Sequence, residues 1–510
     1  MREFSINIEE HFTNGLRRDP RSRRNQVFSK ESKGVVSRGF GLEGFEGFYD
    51  PFEGNINTAF PYPQIIRMKG DTLLGLETDL NLVDESTFPW TASAVDASSL
   101  IPVGGAWEVI DFKEEYYLLN GSCIIAKIKD NDQYLVYSAT DARTGLNFKG
   151  RSVIGGINPN KMFTGMWDNI FYNWREKVSF LPDHVASDPD ASYVMWGSIG
   201  GGDFPLWMFQ PKIMLHGNLE EKGGYETIDE SYLMDRIRMN QFGFMPMPFQ
   251  GDVLNIRELG NGVIVFGEDG IVYLPSFDGR TVGNEQIPPT FGMQNVESFG
   301  IAERSAVGGD TDGYMFVDDS GDLWVVTPEL ETTRLGYREY IYPMIGNDIR
   351  ISKDKRRDVF YIASNDRCYA FGNGLTRVDE YPTSLYAIKG GDVALFGEDT
   401  EKDILIVTNS FDMKFTGVKT ISNIDIAYES NADLEVAVDF RYNYNEPFQR
   451  TRFQKVNIEG NAFLRVHGLE FRIVIKCSDK TDFVLDYATV RYQADDKRNV
   501  RGLGAAQSSS

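Results

Sequence analysis

The sequence predicts a mainly β protein: a β-propeller of antiparallel hairpin blades with helical insertions, followed by a small C-terminal β-sandwich. Three observations predict it. Six strand–turn–strand units recur through the middle of the 510 residues. Glycine is abundant (50) beside 35 Phe, 24 Tyr and 7 Trp, the composition of short aromatic strands joined by tight turns. Near the C-terminus the apolar residues alternate with period two, as in strands with one wet face.

The elements are taken in chain order. Residues 1–55 read as an extended basic arm. Between Arg17 and Arg38 stand eight basic residues and only two acids, Asp19 and Glu31, so this stretch is +6 in a chain of net charge −23. Gly39, Gly41, Gly44 and Gly47 then punctuate a Phe-rich run (Phe40, Phe45, Phe48, Phe52). No helical or strand period holds here, so the arm is expected to become ordered on a partner surface.

Residues 56–420 read as the propeller. The six units are Gln133–Gly145, Tyr193–Phe209, Val263–Leu274, Asp312–Thr327, Asp358–Gly372 and Asp392–Thr408. Each places two apolar runs around a Gly/Asp/Asn/Ser turn. One strand pair cannot bury both of its faces, so such units must stack, and a closed ring of blades also protects their edges. Turn centres lie about 34–70 residues apart, compatible with blades of roughly 40–50 residues lengthened by insertions. Trp167, Ile170, Phe171, Trp174 and Val178 follow helical spacing up to Pro182, and 228–239 is a weaker helical stretch.

Residues 421–493 read as the sandwich. Leu434, Val436, Val438 and Phe440 alternate with Asp433, Glu435, Ala437 and Asp439, Phe471, Ile473 and Ile475 alternate in the same way with Arg472, Val474 and Lys476, and 484–492 supplies another strand. Residues 494–510, ending in GLGAAQSSS, read as a flexible tail.

Composition excludes several classes. A pI near 4.7 has the wrong sign for general nucleic-acid binding, which needs positive surface against phosphate. No apolar stretch reaches the 18 residues of a transmembrane helix, and Met1–Phe12 lacks the apolar core of a secretory signal. Three scattered cysteines form neither a disulfide framework nor a zinc knuckle and suit a chain made in a reducing cytoplasm. Four isolated histidines and the absence of HExxH, GxSxG and GxxxxGK[ST] patterns leave no catalytic, cofactor-binding or metal-binding site to expect.

Three features invite a sharper reading. Asp319-x-Gly321-x-x-Trp324 resembles part of the Asp-box of sialidase propellers, with Val317 where a hydroxyl residue belongs. Such boxes stabilise turns, so a propeller glycoside hydrolase stands only as the enzymatic alternative. Asp310, Asp312, Asp318, Asp319 and Asp322 crowd one stretch without the EF-hand spacing, which fits solvated turn carboxylates better than calcium ligands. The arginines of the arm (Arg17, Arg18, Arg21, Arg23 and Arg24) suit bidentate contacts to carboxylates of a neighbouring subunit or partner protein better than DNA phosphates. A WD-repeat scaffold is disfavoured, because the one Trp-Asp dipeptide, Trp167-Asp168, falls on the helical stretch.

Taken together, the Arg/Pro-containing arm running into a Gly/Phe segment (17–48), the hairpins VYSATDARTG (136–145) and VMWGSIGGGDFPLW (194–207), the pair FQGDVLNIRELGNGVIVFGEDGIVYL (249–274) and the C-terminal LRV, FRI and TVRY strands resemble the propeller-bearing tail nozzle, tail hub or packaged-DNA stabilisation proteins of short-tailed bacteriophages. The resemblance covers most of the chain and carries no catalytic residue with it. It implies a structural virion protein: a hexameric ring below the tail adaptor, contacting it and other tail proteins through the arm. Double-stranded DNA would pass through its channel without sequence-specific binding, and the ring would retain the packaged genome until ejection. A tail-fibre or host-attachment component is the other virion role this implies. The location implied is the virion tail, after synthesis in the host bacterial cytoplasm.

Overall fold

The computed structural model describes residues 3–19, 26–39, 41–45, 143–157, 192–196, 243–277, 290–347, 349–354, 358–364, 366–378, 403–413, 415, 417–480 and 482–494, with the backbone of short strands within 58–138, 280–287 and 384–396. The fold is mainly β, made of several small antiparallel sheets. The chain divides into two compact units, one of 54–334 with 384–390 and the other of 1–53, 335–383 and 391–510. The expected boundaries at 55, 420 and 493 differ from this division. Both helical stretches, 167–178 and 228–239, lie outside the described residues, as does the tail beyond 494.

In the first unit, three four-stranded sheets and one five-stranded sheet follow one another. The first holds Glu108–Phe112, Glu115–Leu119, Cys123–Ile128 and Tyr134–Ser138 as an up-and-down meander. The second holds Thr144–Phe148, Arg151–Ile157, Tyr193–Trp196 and Gly243–Pro246. In the third, the five-stranded one, Val253–Leu259, Gly262–Gly267 and Ile271–Phe277 are completed by Thr290–Phe291 and Gln294–Glu297, both paired to Ile271–Phe277. The fourth runs Val307–Asp310, Gly313–Val317, Leu323–Val326 and Thr332–Gly336.

The opening strands of these four sheets lie side by side in chain order. The amide of Ile256 donates to Thr144 Oγ1 at 2.9 Å, tying the second sheet to the third. A side chain at Gly145 would meet Ile110 Cδ1 at 2.6 Å, so the first and second sheets approach this closely only because the position is glycine. Strand Gly262–Gly267 shows why its sequence is a continuous apolar run. Val263 and Val265 enter one core with Phe148, Val194, Trp196 and Val253, while Ile264 and Phe266 enter another with Val307, Tyr314 and Phe316. A strand buried on both faces has no wet positions to alternate.

The second unit contains a six-stranded and a ten-stranded sheet. The ten-stranded sheet begins with a fifth meander, Arg350–Asp354, Val359–Ala363, Cys368–Phe371 and Leu375–Val378. It continues through Ser29–Lys33, Ile404–Thr408, Glu470–Cys477 and Leu434–Arg441. The six-stranded sheet is built on Val484–Ala494, which pairs with Lys419–Glu429 along one side and with Glu3–Asn7 and Gly41–Gly44 along the other. One core takes residues from both sheets: Val35, Leu42, Ile421, Ile424, Leu464 and Val490 from the six-stranded, Ile404, Ile406, Val436, Val438, Phe471 and Ile473 from the ten-stranded.

The extended arm is corrected here. Residues 3–45 supply four strands and the short helix Glu10–Thr13, and Ile8, Phe12, Val35 and Leu42 are fully or almost fully buried. The strands are only four or five residues long, so each is too short to show a period; Val35–Arg38 and Gly41–Gly44 pair with each other, while the partners that tie Glu3–Asn7, Ser29–Lys33 and Gly41–Gly44 into the sheets lie hundreds of positions away.

Three of the six expected hairpins pair as expected: 263–274, 312–327 and 358–372. Two do not. Tyr134–Ser138 closes one sheet by pairing with Cys123–Ile128, and Thr144–Phe148 opens the next. Ile404–Thr408 has Ser29–Lys33 on one edge and Glu470–Cys477 on the other, so neither edge is left for a hairpin partner. The turn of the remaining unit, 193–209, lies outside the described residues. Among the described residues no helix is long and apolar enough to cross a membrane.

Candidate functional site

The arginines of the N-terminal segment were the sequence's candidates for a partner contact. Leu16, just before Arg17 and Arg18, is anchored: its amide donates to Leu375 O at 2.7 Å. Arg17 then places Nη2 2.7 and 2.9 Å from the two oxygens of Glu339, on the short helix Arg338–Ile341. This hydrogen bond holds the Arg17 pKa above its ordinary value. The carbonyl of Arg18 accepts the amide of Tyr337 at 3.1 Å, where Tyr337 sits in the left-handed region at φ 67°. Burial pushes the neighbouring Tyr340 phenol up to about 12. Arg17 and Arg18 are therefore held against their own chain, while Arg21, Arg23 and Arg24 lie outside the described residues.

In the first unit the side-by-side opening strands gather a small polar set. Asn255 is 2% exposed, and its Nδ2 donates to Arg304 O at 2.7 Å. Arg304 sends its guanidinium to Leu119 O at 3.3 Å, so one residue joins the third sheet to the first. These contacts are to backbone carbonyls, which serves cohesion between sheets rather than acid–base chemistry.

The crowded aspartates resolve into turn anchors. Asp310 Oδ1 accepts the amide of Asp312 at 3.1 Å. Asp318 is 5% exposed: one oxygen accepts the amide of Asp322 at 2.8 Å and the other accepts Trp324 Nε1 at 2.9 Å. Arg334 closes on Asp322 Oδ2 at 2.6 Å. The sequence pattern pointed to Asp319, but Asp319 only receives the hydroxyl of Ser320 on the surface. The signal for Asp318 was its spacing, four before Asp322 and six before Trp324. Among the described residues no group of three or more His, Cys, Asp or Glu is arranged to hold a metal ion.

An open cleft of about 490 Å³ lies along the edge of the third sheet, lined by Phe249, Gln250, Asp269, Asn295, Glu297 and Ser298. Its acids are engaged. Asp269 accepts the amides of Gln250 and Gly251 at 3.1 and 2.9 Å, and Glu297 accepts the hydroxyl of Thr332. Of the described histidines, His11 is in the core of the other unit and His467 shares a 2.7 Å hydrogen bond with Thr420. No nucleophile–base pair converges on the cleft among the described residues.

These features define a mainly β protein of serial antiparallel sheets. No protein-family model matches the chain, and no curated protein matches it in sequence. Distant likenesses exist among solved structures. The extracellular domain of the putative hybrid two-component system BT4673 from B. thetaiotaomicron has 9% identity and a TM-score of 0.36 over 76% of this chain and 44% of that one. PorZ, a surface component of the type-IX secretion system of Porphyromonas gingivalis, has 10% identity and a TM-score of 0.34 over 76% and 44%. Apo AztD from Citrobacter koseri has 10% identity and a TM-score of 0.32 over 74% and 90%. The chain spans less than half the length of the first two, and likenesses at this distance carry no argument about activity or partners.

Proposed function

We propose that this chain is a structural protein of a short-tailed bacteriophage virion, a tail nozzle or hub subunit whose copies form a ring around a DNA channel. The observation that carries the reading is the adjacency of the opening strands of four successive sheets of four or five strands, which is how blades lie around a propeller axis. In this reading the sheets close as a propeller with helical insertions, and the two sheets that share the core of Ile424 and Val436 form the sandwich. The subunits assemble as a hexamer in the virion tail.

Charge supports the same reading. A chain of −23 repels phosphate, so DNA slides past it without the counterion release that would trap it. Retention of the genome then falls to a steric gate, and the chain carries out no reaction of its own. The adaptor contact passes to surfaces other than Arg17, which Glu339 already holds.

The test is genome retention. Particles assembled with the chain hold their packaged DNA against nuclease, and particles assembled without it lose the DNA. Equal retention in the two preparations would overturn the assignment, as would turnover of a glycoside substrate by the purified chain.

A further inference from the structure

Sequence reasoning placed the subunit contact on the N-terminal arginines. The second unit offers a better-built surface at the loop between Leu434–Arg441 and Gln449–Arg450, with sequence RYNYNEPFQR. Tyr442 is 50% exposed, yet its ring is fixed edge-on against Phe440 at 5.7 Å. Behind it, the guanidinium of Arg441 lies 4.5 Å and that of Arg472 3.8 Å from the centre of the Phe448 ring. Arg441 is anchored below by Glu470, which is fully buried, and Nη1 reaches Glu446 O at 3.4 Å. Arg450 holds Asp439 through two bonds of 2.7 and 3.1 Å. Asn443 O accepts the amide of Glu446 at 3.1 Å, closing the turn.

Two properties point to protein contact. Tyr442, Arg441, Phe448 and Arg450 are already held by contacts within the chain, so less of their side-chain entropy remains to be lost on docking, and these residue types are those that dominate interface energetics. Its charge is also unlike the rest of the chain. Arg441 and Arg450 are ion-paired to Glu470 and Asp439, and the exposed Arg452 adds a positive charge at the loop's edge on a molecule of −23.

We propose that the loop 441–452, with Tyr442 and Arg452 at its exposed edge, is the surface by which one copy of this chain docks on the acidic surface of the next. A cationic edge meeting an acidic surface elsewhere on an identical molecule is a heterologous contact, and heterologous contacts close into rings where the rotation from copy to copy closes. The inference rests on the ring reading above and adds to it the residues that make the contact.

The experiment is sedimentation velocity with native mass measurement on the full chain and on two variants. Tyr442→Ser/Arg452→Glu changes two exposed side chains, and Arg465→Glu makes a similar charge change on an exposed position of another strand. Unfolding curves confirm that each variant folds. The wild-type chain and Arg465→Glu form rings, the double variant associates at least tenfold more weakly, and wild-type association weakens as salt rises. A double variant that assembles like the wild type, or equal loss in Arg465→Glu, overturns the loop's role and leaves the ring reading standing. A wild-type chain that stays monomeric at every concentration overturns the loop's role, and the ring reading falls with it where particles carrying the chain show no ring either.

Discussion

Asp318 grips Trp324: its Oδ2 accepts the indole N–H at 2.9 Å while Oδ1 accepts the backbone of Asp322 at 2.8 Å. The Trp324 ring in turn packs on Phe299 at 4.8 Å and stacks parallel to Phe316 at 6.4 Å. A buried carboxylate with two donors is expected to matter, because removing it leaves both unpaired. Asp318→Ala should cost about 2–4 kcal/mol in urea unfolding, and Asp319→Ala, on the exposed neighbour, about 0.5 kcal/mol or less. The reverse order would show that the turn is held by the residue the sequence pattern marks.

That pair also shows how far the sequence could be read. Turns whose two strands are neighbours in the chain were legible, since 263–274, 313–326 and 359–371 carry both their partners and the turn between them. Strand Ile404–Thr408 has the same local pattern, but its partners are Ser29–Lys33 and Glu470–Cys477, and nothing local records that. Leu434–Arg441 was expected to have one wet face. Ala437 and Val474 on that face are instead buried beside Val407 and covered by Phe453, from a segment with no strand period. The Arg17 contact was legible as a carboxylate clamp, while the identity of the carboxylate, Glu339 of the same chain, was not.

The N-terminal segment is a structural part of its unit. Ser29–Lys33 is paired on both edges, and Ile8, Phe12, Val35 and Leu42 contribute to the core. Deleting residues 1–45 should therefore abolish cooperative unfolding of this unit, because four buried side chains and an interior strand leave together. Arg17→Ala should cost about 1 kcal/mol or less, since the Glu339 pair is about one-third exposed. Circular dichroism and thermal unfolding of the two variants make the comparison. A deletion variant with native spectrum and melting would restore the separable arm.

His11 predicts an acid limb. It is 4% exposed, rests on Phe411 at 5.3 Å, and burial pulls its pKa from 6.5 down to about 4. The unfolded chain thus binds a proton that the folded chain refuses between those values. The stability from neutral His11 is complete above pH 6.5 and is lost as pH falls toward 4. The loss between pH 7.5 and 4.5 is about 2.5 kcal/mol at 1.36 kcal/mol per unit. Denaturant titrations of wild type and His11→Phe should differ by that much at pH 4.5 relative to pH 7.5. Parallel curves would remove His11 from the acid response.

Lys419 is a buried cation used as a clasp. Its ammonium donates to Asp412 O at 2.8 Å, Leu469 O at 2.7 Å and Phe415 O, joining the turn before its strand to the turn after Asn461–Gly468. Lys419→Met keeps the aliphatic stem and leaves three carbonyls without that donor. It should destabilise the chain by about 2–4 kcal/mol, read from the denaturant midpoint at unchanged m-value. A variant as stable as the wild type would show that water replaces the ammonium at no cost.

The central claim is that copies of this chain close into a passage for DNA. Class-averaged electron microscopy of the purified full chain at rising concentration, and on particles carrying it, tests that claim most directly. The account predicts rings of six subunits around an opening wide enough for duplex DNA. Single subunits at every concentration, with no ring on the particle, would contradict it.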